Sequence, residues 1–223
     1  GIALISKNKK FFFTDGRYIL QAKKEIQNEF QVLDQSNENI LTFIAKRLKE
    51  IKLMIDFRLF TVGFIKDLKR IAKLRSIKIY DDKKNIIDQE WKNRPEGIKK
   101  KIFHLNEKVS GENILSKKQK LLNLSKYEYL ILTSSDSVCW LMNIRGYDLE
   151  NTPIVFCKSI VTKFFIKLFI DKENISSTRQ SFFKEVKVYS IMDFENELLR
   201  IPKNKKTLLD SSSSYFYYDF MIR

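Results

Sequence analysis

The spacing of apolar and polar residues changes several times along the chain, and each change marks an element. Residues 2–6 and 11–13 are short apolar, aromatic runs on either side of Lys7, Asn8, Lys9 and Lys10, which predicts a β-hairpin with a polar turn. The second run ends in Thr14-Asp15-Gly16-Arg17-Tyr18. From Tyr18 the spacing is helical, with Ile19, Ala22 and Ile26 on one face. Residues 30–33 predict a brief strand. Ile40, Leu41, Ile44, Ala45, Leu48 and Ile51 then recur at helix spacing behind a capping segment at 37–39. Leu53, Met54 and Ile55 with Phe57 predict the next strand. Phe64, Ile65, Leu68, Ile71 and Ala72 mark a second amphipathic helix, and residues 77–80 a closing strand. Strands alternating with helices of this length predict an α/β sheet with helices packed on its faces.

Residues 85–106 have no sustained period and carry Trp91, Arg94-Pro95, Gly97 and Lys99-Lys100-Lys101. A proline drives its preceding residue out of helical geometry and a nearby glycine loosens the chain. A linker is therefore expected at 98–106, between a first domain at 1–97 and a second at 107–223. In the second, Ile114, Leu115, Leu121, Leu122 and Leu124 predict a helix and residues 129–132 a buried strand. Residues 138–144 predict a short apolar helix, with Gly146 as its left-handed stop and Arg145 suited to its carbonyl end. Strands at 154–161 and 164–170, a helix at 179–184, a strand at 186–189, a helix at 194–200 and a strand at 207–209 complete the pattern. The two halves repeat one architecture without repeating sequence.

Composition then narrows the function. The 223 residues are 43% hydrophobic and 31% charged with three prolines, a globular rather than a disordered balance. One histidine, His104, and two cysteines, Cys139 and Cys157, leave no multi-ligand zinc site and at most one disulfide. The apolar run at 160–170 is interrupted by Lys163 and Lys167, so no membrane span is expected. Without a signal peptide, a reduced cytoplasmic setting is the expectation. The net charge of +15 would suit nucleic acid if clustered. The lysines are spread among Ile, Asn and Phe, so a diffuse compositional bias is the preferred reading. The chain opens on Gly1 in an apolar run, which reads as part of a longer protein.

Candidate chemistry is sparse. His104 has no carboxylate or cysteine near it in sequence, and a packing role is preferred over a catalytic one. Ser134, Ser135 and Ser137 around Asp136 form no Gly-x-Ser-x-Gly elbow and read as a helix cap. Ser211 to Ser214 lead into Tyr215, Phe216, Tyr217 and Tyr218, whose neighbours are Ser and Asp219 rather than basic residues, so core packing is preferred over base stacking. No Gly-rich phosphate loop occurs. Two segments stand out: the tight turn Asp15-Gly16-Arg17-Tyr18, which needs the flexibility of glycine, and the strand-to-helix turn that begins at Asp136.

On these segments the sequence resembles the three-domain Xaa-Pro aminopeptidases of the creatinase and prolidase superfamily. The resembling motifs are Phe13-Thr14-Asp15-Gly16-Arg17-Tyr18-Ile19-Leu20-Gln21-Ala22, then Ile86 to Asp88 with Trp91 and Arg94-Pro95. The third is Asp136-Ser137-Val138-Cys139-Trp140-Leu141-Met142-Asn143-Ile144-Arg145-Gly146-Tyr147-Asp148 running on to Asn151-Thr152-Pro153. They follow the family's order and cover nearly the whole chain. The chain departs from the pattern at Tyr147 (commonly Ser), Lys158 (usually aromatic) and Cys139 (typically Ala).

The resemblance implies two similar creatinase N-terminal-like domains, each a mixed β-sheet flanked by helices, with the first lacking its opening strand and helix before Ile2. It implies a non-catalytic N-terminal part that shapes a substrate cleft and dimer contacts. The C-terminal pita-bread catalytic domain, with its two divalent metals, commonly manganese, is expected to be absent from these residues. No catalytic residue and no metal ligand is therefore expected in the chain. By the same resemblance Arg17 faces the cleft or interdomain contacts, with Asp15 and Tyr18 beside it and Arg145 and Asp148 second. Turn stabilisation and helix capping remain the alternative roles for them. The expected partners are the missing catalytic domain, a second copy in a homodimer and, for the full enzyme, proline-containing peptides, without membrane or nucleic acid. A stand-alone basic module that binds an acidic partner or nucleic acid is the alternative.

Overall fold

The Lys-rich turn at 7–10 closes because Ser6 both donates its backbone N–H to the Lys9 carbonyl (2.9 Å) and holds Lys9 through its hydroxyl. In the computed structural model, which describes residues 1–26, 29–95, 102–123, 126–171 and 186–223, this turn joins β1 (Ile2–Ile5) to β2 (Lys10–Thr14). They are antiparallel, with Ile2 opposite Phe13 and Ile5 opposite Lys10. α1 (Ile19–Glu25) then crosses over to β3 (Gln31–Asp34), which pairs with β2 in parallel. α2 (Ile40–Arg47) is capped by Asn39, whose side chain accepts from Thr42 N–H at 2.9 Å, and sets Phe43 edge-on against the buried Phe13. β4 (Lys52–Ile55), α3 (Val62–Arg75) and β5 (Lys78–Asp81) form a parallel β-α-β unit.

α2 is shorter than its apolar spacing predicts. Leu48 is extended (φ −113, ψ 140) and Glu50 left-handed (φ 54), because the chain turns into β4 there. Arg75 fastens the turn: its Nε donates to the Leu48 carbonyl (2.9 Å) and its own carbonyl accepts from Glu50 N–H (2.9 Å). Phe57, expected in the strand, lies beyond β4.

The chain divides into two units, residues 1–55 with 65–82 and residues 56–64 with 83–223. The excursion 56–64 is tied into the second unit by backbone: Phe216 N–H donates to Phe60 O (2.9 Å), Tyr217 to Phe57 (3.1 Å) and Gly63 to Ser211 (2.7 Å). A Cβ on Gly63 would lie 3.1 Å from the Ser211 carbonyl, so glycine permits this approach. α4 (Ile86–Glu90) is a short helix where no period was legible, capped by Asn85, which accepts from Ile87 and Asp88 N–H and also donates to Asp56 (2.9 Å). Residues 98–101 of the expected linker lie outside the described residues. Residues 103 and 104 form β6 (Phe103–His104), antiparallel to β8 (Ile144–Arg145). α5 (Glu107–Ser110), α6 (Ile114–Asn123), β7 (Tyr129–Leu132) and α7 (Ser135–Met142) precede β8 in the chain. β9 (Cys157–Val161), β10 (Ile166–Ile170), β11 (Val186–Tyr189), α8 (Phe194–Leu199), β12 (Thr207–Leu209) and α9 (Phe216–Ile222) follow. Leu124 and the helix expected at 179–184 lie outside the described residues.

The second unit centres on a mixed sheet in the order β11-β10-β9-β7-β12, parallel at both margins and antiparallel within. Strand side chains alternate between faces. Leu130, Cys157, Val161, Ile166, Leu168 and Ile170 join one core with Val138, Leu141 and Met142 of α7. Ile131, Ile160 and Phe169 join a second with Phe194 and Leu198 of α8 and Tyr218 and Met221 of α9.

Lys158 and Lys167 interrupt the strand pattern, opposite Phe169 and Ile160 respectively. Each is answered by a helix. Lys158 Nζ lies 2.5 Å from the Tyr218 hydroxyl and 4.9 Å above the Phe194 ring, and burial pushes its ammonium pKa down. Lys167 binds Glu197, which is 4% exposed and also takes Arg200 at 2.5 Å. Burial pushes the Glu197 carboxyl up, but Lys167 and Arg200 outweigh it and hold the carboxyl below its ordinary 4.5.

Breaking a buried ion pair leaves one charge stranded, whereas an exposed pair contributes little. Glu197→Ala is therefore expected to lower stability by roughly 3 kcal/mol, and Arg200→Ala, at a 75% exposed side chain, by less than about 1 kcal/mol, both read from urea unfolding. Because the folded carboxyl is depressed, its stabilisation is complete above pH 4.5 and is lost as pH falls through the lower folded value. Glu197→Gln should flatten that part of the stability profile.

Candidate functional site

The Asp15-Gly16-Arg17-Tyr18 turn is a single 3-10 turn, Gly16–Tyr18, between β2 and α1. Asp15 caps it: its carboxylate accepts from Arg17 N–H (3.0 Å), Nε (2.9 Å) and Nη2 (3.2 Å). The Arg17 side chain, through hydrogen bonds first and charge second, holds the Asp15 carboxyl below its usual value. Gly16 is not left-handed, since the only glycine with positive φ among the described residues is Gly111. Its role is space, because a Cβ there would meet Asp34 Oδ2 at 3.0 Å. Arg17 is 78% exposed on its side chain and lies 5.7 Å from the half-exposed Tyr18 ring. The turn thus presents a guanidinium and a phenol outward from one rigid corner of the first unit.

Arg145 and Asp148 belong to the second unit, at the exit of α7. The helix begins at Ser135, three residues before its expected start, and Asp136 fastens that first turn, accepting from Ser137 N–H at 2.7 Å and from the Ser134 hydroxyl. The Ser134 hydroxyl first, then the Ser137 N–H, lower the Asp136 pKa. The stop falls at Asn143 (φ 52, ψ 35), not at Gly146. Asparagine tolerates the left-handed region, and its side chain is used on both ends: Nδ2 donates to Glu112 O (2.7 Å) and Oδ1 accepts from Lys117 Nζ (2.5 Å). Two cations close the carbonyl end of α7. Lys117 Nζ reaches Trp140 O (2.9 Å) and Arg145 Nη1 reaches Cys139 O (3.0 Å) and Ile144 O (2.8 Å). Both add a charged donor to the last carbonyls of the helix, Trp140 O and Cys139 O, which also take the Asn143 N–H, and both oppose its dipole. Burial lowers the Lys117 pKa. Arg145 stands at the helix end where its sequence position predicts it, whereas Lys117 carries no local signal of its role, which depends on Trp140 and Asn143 more than twenty residues away.

Asp148 organises the segment that follows. Its N–H donates to Ile154 O (3.1 Å) and its Oδ2 accepts from Phe156 N–H (2.8 Å). Its Oδ1 is buried and has no hydrogen-bond partner among the described residues. Below it, Cys139 of α7 and Cys157 of β9 meet. The neighbouring Cys157 thiol pulls Cys139 down to about 7, while Cys157 is pushed up by its Cys139 neighbour and by burial.

A cleft of about 480 Å³ in the second unit is lined by His104, Asn106, Asn113, Lys118 and Asn143 among others. Several of its polar groups are already committed: Asn106 caps Val109 N–H, Asn113 caps Ser116 N–H and Lys118 donates to Lys163 O. Of the aromatic run, Phe216 and Tyr218 are buried, as the packing reading expects, whereas Tyr215 is exposed, and Asp210 gathers Ser212 and Ser213. Among the described residues no group of three or more His, Cys, Asp or Glu could hold a metal ion, so the residues present do not fit a metal pair. No described helix is long and apolar enough to cross a membrane.

Mixed sheets flanked by helices, with capped turns and no metal cluster among the described residues, define a class of α/β scaffold. A family model for the Creatinase/Prolidase N-terminal domain matches residues 93–221, more than half of the chain, and the chain belongs to that family. A protein described as a probable Xaa-Pro aminopeptidase P of Coprinopsis cinerea is 29% identical over 213 residues, covering 92% of this chain and 34% of that relative. Xaa-Pro aminopeptidase 1 of Dictyostelium discoideum is 27% identical over 236 residues, with 98% and 38% covered. The chain thus spans about a third of the length of the curated relatives it matches. The crystal structure of the X-prolyl aminopeptidase from Caenorhabditis elegans, titled a cytosolic enzyme with a di-nuclear active site, superposes with a TM-score of 0.81 at 21% identity. That match covers 88% of this chain and 34% of the other, and it bears on the fold.

If Arg145 caps α7, Arg145→Ala should lower the urea-unfolding free energy by about 1–2 kcal/mol. Arg17→Ala should leave the unfolding midpoint unchanged, since its bonds are on an exposed turn. An unchanged midpoint for Arg145→Ala would remove it from the helix cap.

Proposed function

We propose that this segment is the non-catalytic N-terminal part of a Xaa-Pro aminopeptidase, a metallopeptidase that removes the N-terminal residue before a proline. The observation that carries the reading is the coverage: relatives of that description match 92% and 98% of this chain but only 34% and 38% of their own length. In this reading the metal pair, manganese by family resemblance, and the catalytic side chains belong to a domain outside these 223 residues. The two units serve that domain by shaping the cleft for proline-containing peptides and by contributing to dimer contacts, in the cytoplasm. Arg17 with Asp15 and Tyr18, and Arg145 with Asp148, are the residues assigned to the cleft or to interdomain contacts. The outward, Asp15-locked guanidinium of Arg17 suits a carboxylate or a carbonyl on the facing surface.

Metal-assisted hydrolysis needs an ion that activates water or polarises the scissile carbonyl. The 223-residue chain alone, incubated with an Xaa-Pro peptide and with or without manganese, is expected to give no turnover above the buffer blank. Turnover that purifies with the chain and is abolished by a chelator would overturn the proposal.

A further inference from the structure

Cys139 stands on α7 and Cys157 opens β9, and the two elements interlock around their sulfurs. Ser135 and Cys139 are one helical turn apart and so share a face, as Val155 and Cys157 share a side of the extended chain. Cys139 Sγ accepts from Val155 N–H (3.5 Å) and lies 3.8 Å from Val155 O. Cys157 N–H donates to the Ser135 hydroxyl (3.3 Å), and Cys157 Sγ lies 4.0 Å from Ser135 O. Each sulfur thus lies against the backbone of the other's element, and both cysteines are free and buried, at 1% and 2% exposure. The charges around them are unequal. Arg145 faces Cys139 and favours its thiolate, against a smaller opposing effect of Asp136, whereas Asp148 faces Cys157 and disfavours its thiolate.

We propose that Cys139 and Cys157 are a redox-responsive pair that closes to an intrachain disulfide when the protein meets a hydroperoxide, tying α7 to β9. Cys139 is the attacking sulfur. Its thiolate forms a bond to one peroxide oxygen, the O–O bond breaks, and the departing oxygen takes the thiol proton and leaves as an alcohol or water. The sulfenic acid left on Cys139 is then attacked by the Cys157 sulfur. An S–S bond forms, the S–O bond breaks, and the hydroxide leaves with the Cys157 proton as water. Two thiols thereby lose two electrons and two protons to one hydroperoxide.

Access comes from the irregular segment at 146–156, whose Val155 covers Cys139. That segment is held by Asp148, through Ile154 O and Phe156 N–H, by an isolated bridge between Leu149 and Thr152, by Ile154 N–H on Thr152 O (2.8 Å) and by Val155 N–H on the Cys139 sulfur itself. Segments with so few backbone bonds open locally without global unfolding.

The test treats the folded 223-residue chain with hydrogen peroxide, blocks remaining thiols with N-ethylmaleimide in denaturant, and maps the peptides by mass spectrometry. The expected product is an intrachain Cys139–Cys157 link, two hydrogens lighter than the dithiol and reversed by dithiothreitol. Cys157→Ala should leave Cys139 as a sulfenic acid that dimedone traps, and Cys139→Ala should leave Cys157 unmodified. Far-UV circular dichroism and urea unfolding verify that each variant is folded. Wild-type chain that keeps both thiols, forms only interchain links, or forms the link only after unfolding in urea would overturn the proposal.

Discussion

A sheet covered by helices on both faces leaves its central strands no water to turn to. Every polar side chain that alternation places inside must then find its partner within the protein. In the five-stranded sheet this constraint falls on β9 and β10, two of its three interior strands, which carry Lys158 and Lys167. Both point to the face packed by α8 and α9. The solutions differ in kind. Lys167 receives a full opposite charge from Glu197, while Lys158 receives a phenolic oxygen and two aromatic faces. A hydrophobic interior alone would not fix the register of α8 and α9 against the strands. These two contacts do, because a one-residue slip would strand a buried charge.

The opposite face is governed by how α7 ends. Its carbonyls point into the protein, where Lys117 from α6 and Arg145 from β8 take them up, and left-handed Asn143 redirects the chain between the two. That closure places β8 against β6 and delivers Asp148 to the segment covering Cys139 and Cys157. The distinctive stretch from Asp136 to Asp148 is therefore one mechanical unit, fastened at its start by Asp136 and at its end by two cations.

Much of this was legible because the physics is local. The hairpin at the chain's start, the Asn39 cap and the strands at 129–132, 186–189 and 207–209 follow from alternation, turn residues and side-chain caps, all of which act over a few positions. The mixed α/β class followed from alternation between elements. What was not legible depends on residues distant in sequence. α2 stops at Arg47 despite apolar Leu48 and Ile51, because Arg75 holds the turn into β4. The end of α7 was placed at Gly146 by a rule about glycine, yet Asn143 takes the left-handed position because Lys117 and Glu112 meet its side chain. α4 escaped notice because five residues are too few to show a period, and Asn85 caps it without an apolar stripe. At the candidate site, the Asp15–Arg17 turn was visible as a motif, but glycine's part in it was misassigned to flexibility. The reason is Asp34, nineteen residues on by number from Asp15 and adjacent only once β3 pairs with β2.

The same contacts recast the net charge of +15. A basic excess attracts polyanions to the extent that its cations stand free on one surface. Here several of the cations do interior or local work: Lys117 and Arg145 close a helix, Lys158 and Lys167 complete a sheet face, and Arg75 fixes a turn. Others pair with carboxylates spread along the chain, as in Lys10–Glu29, Arg94–Asp88, Lys120–Glu112 and Lys205–Glu128. Lysine placed in a strand interior is stabilised by what faces it, so each such residue constrains a neighbour and is no longer interchangeable with a surface charge. A compositional bias that began as a background property has in this way become part of what specifies the fold.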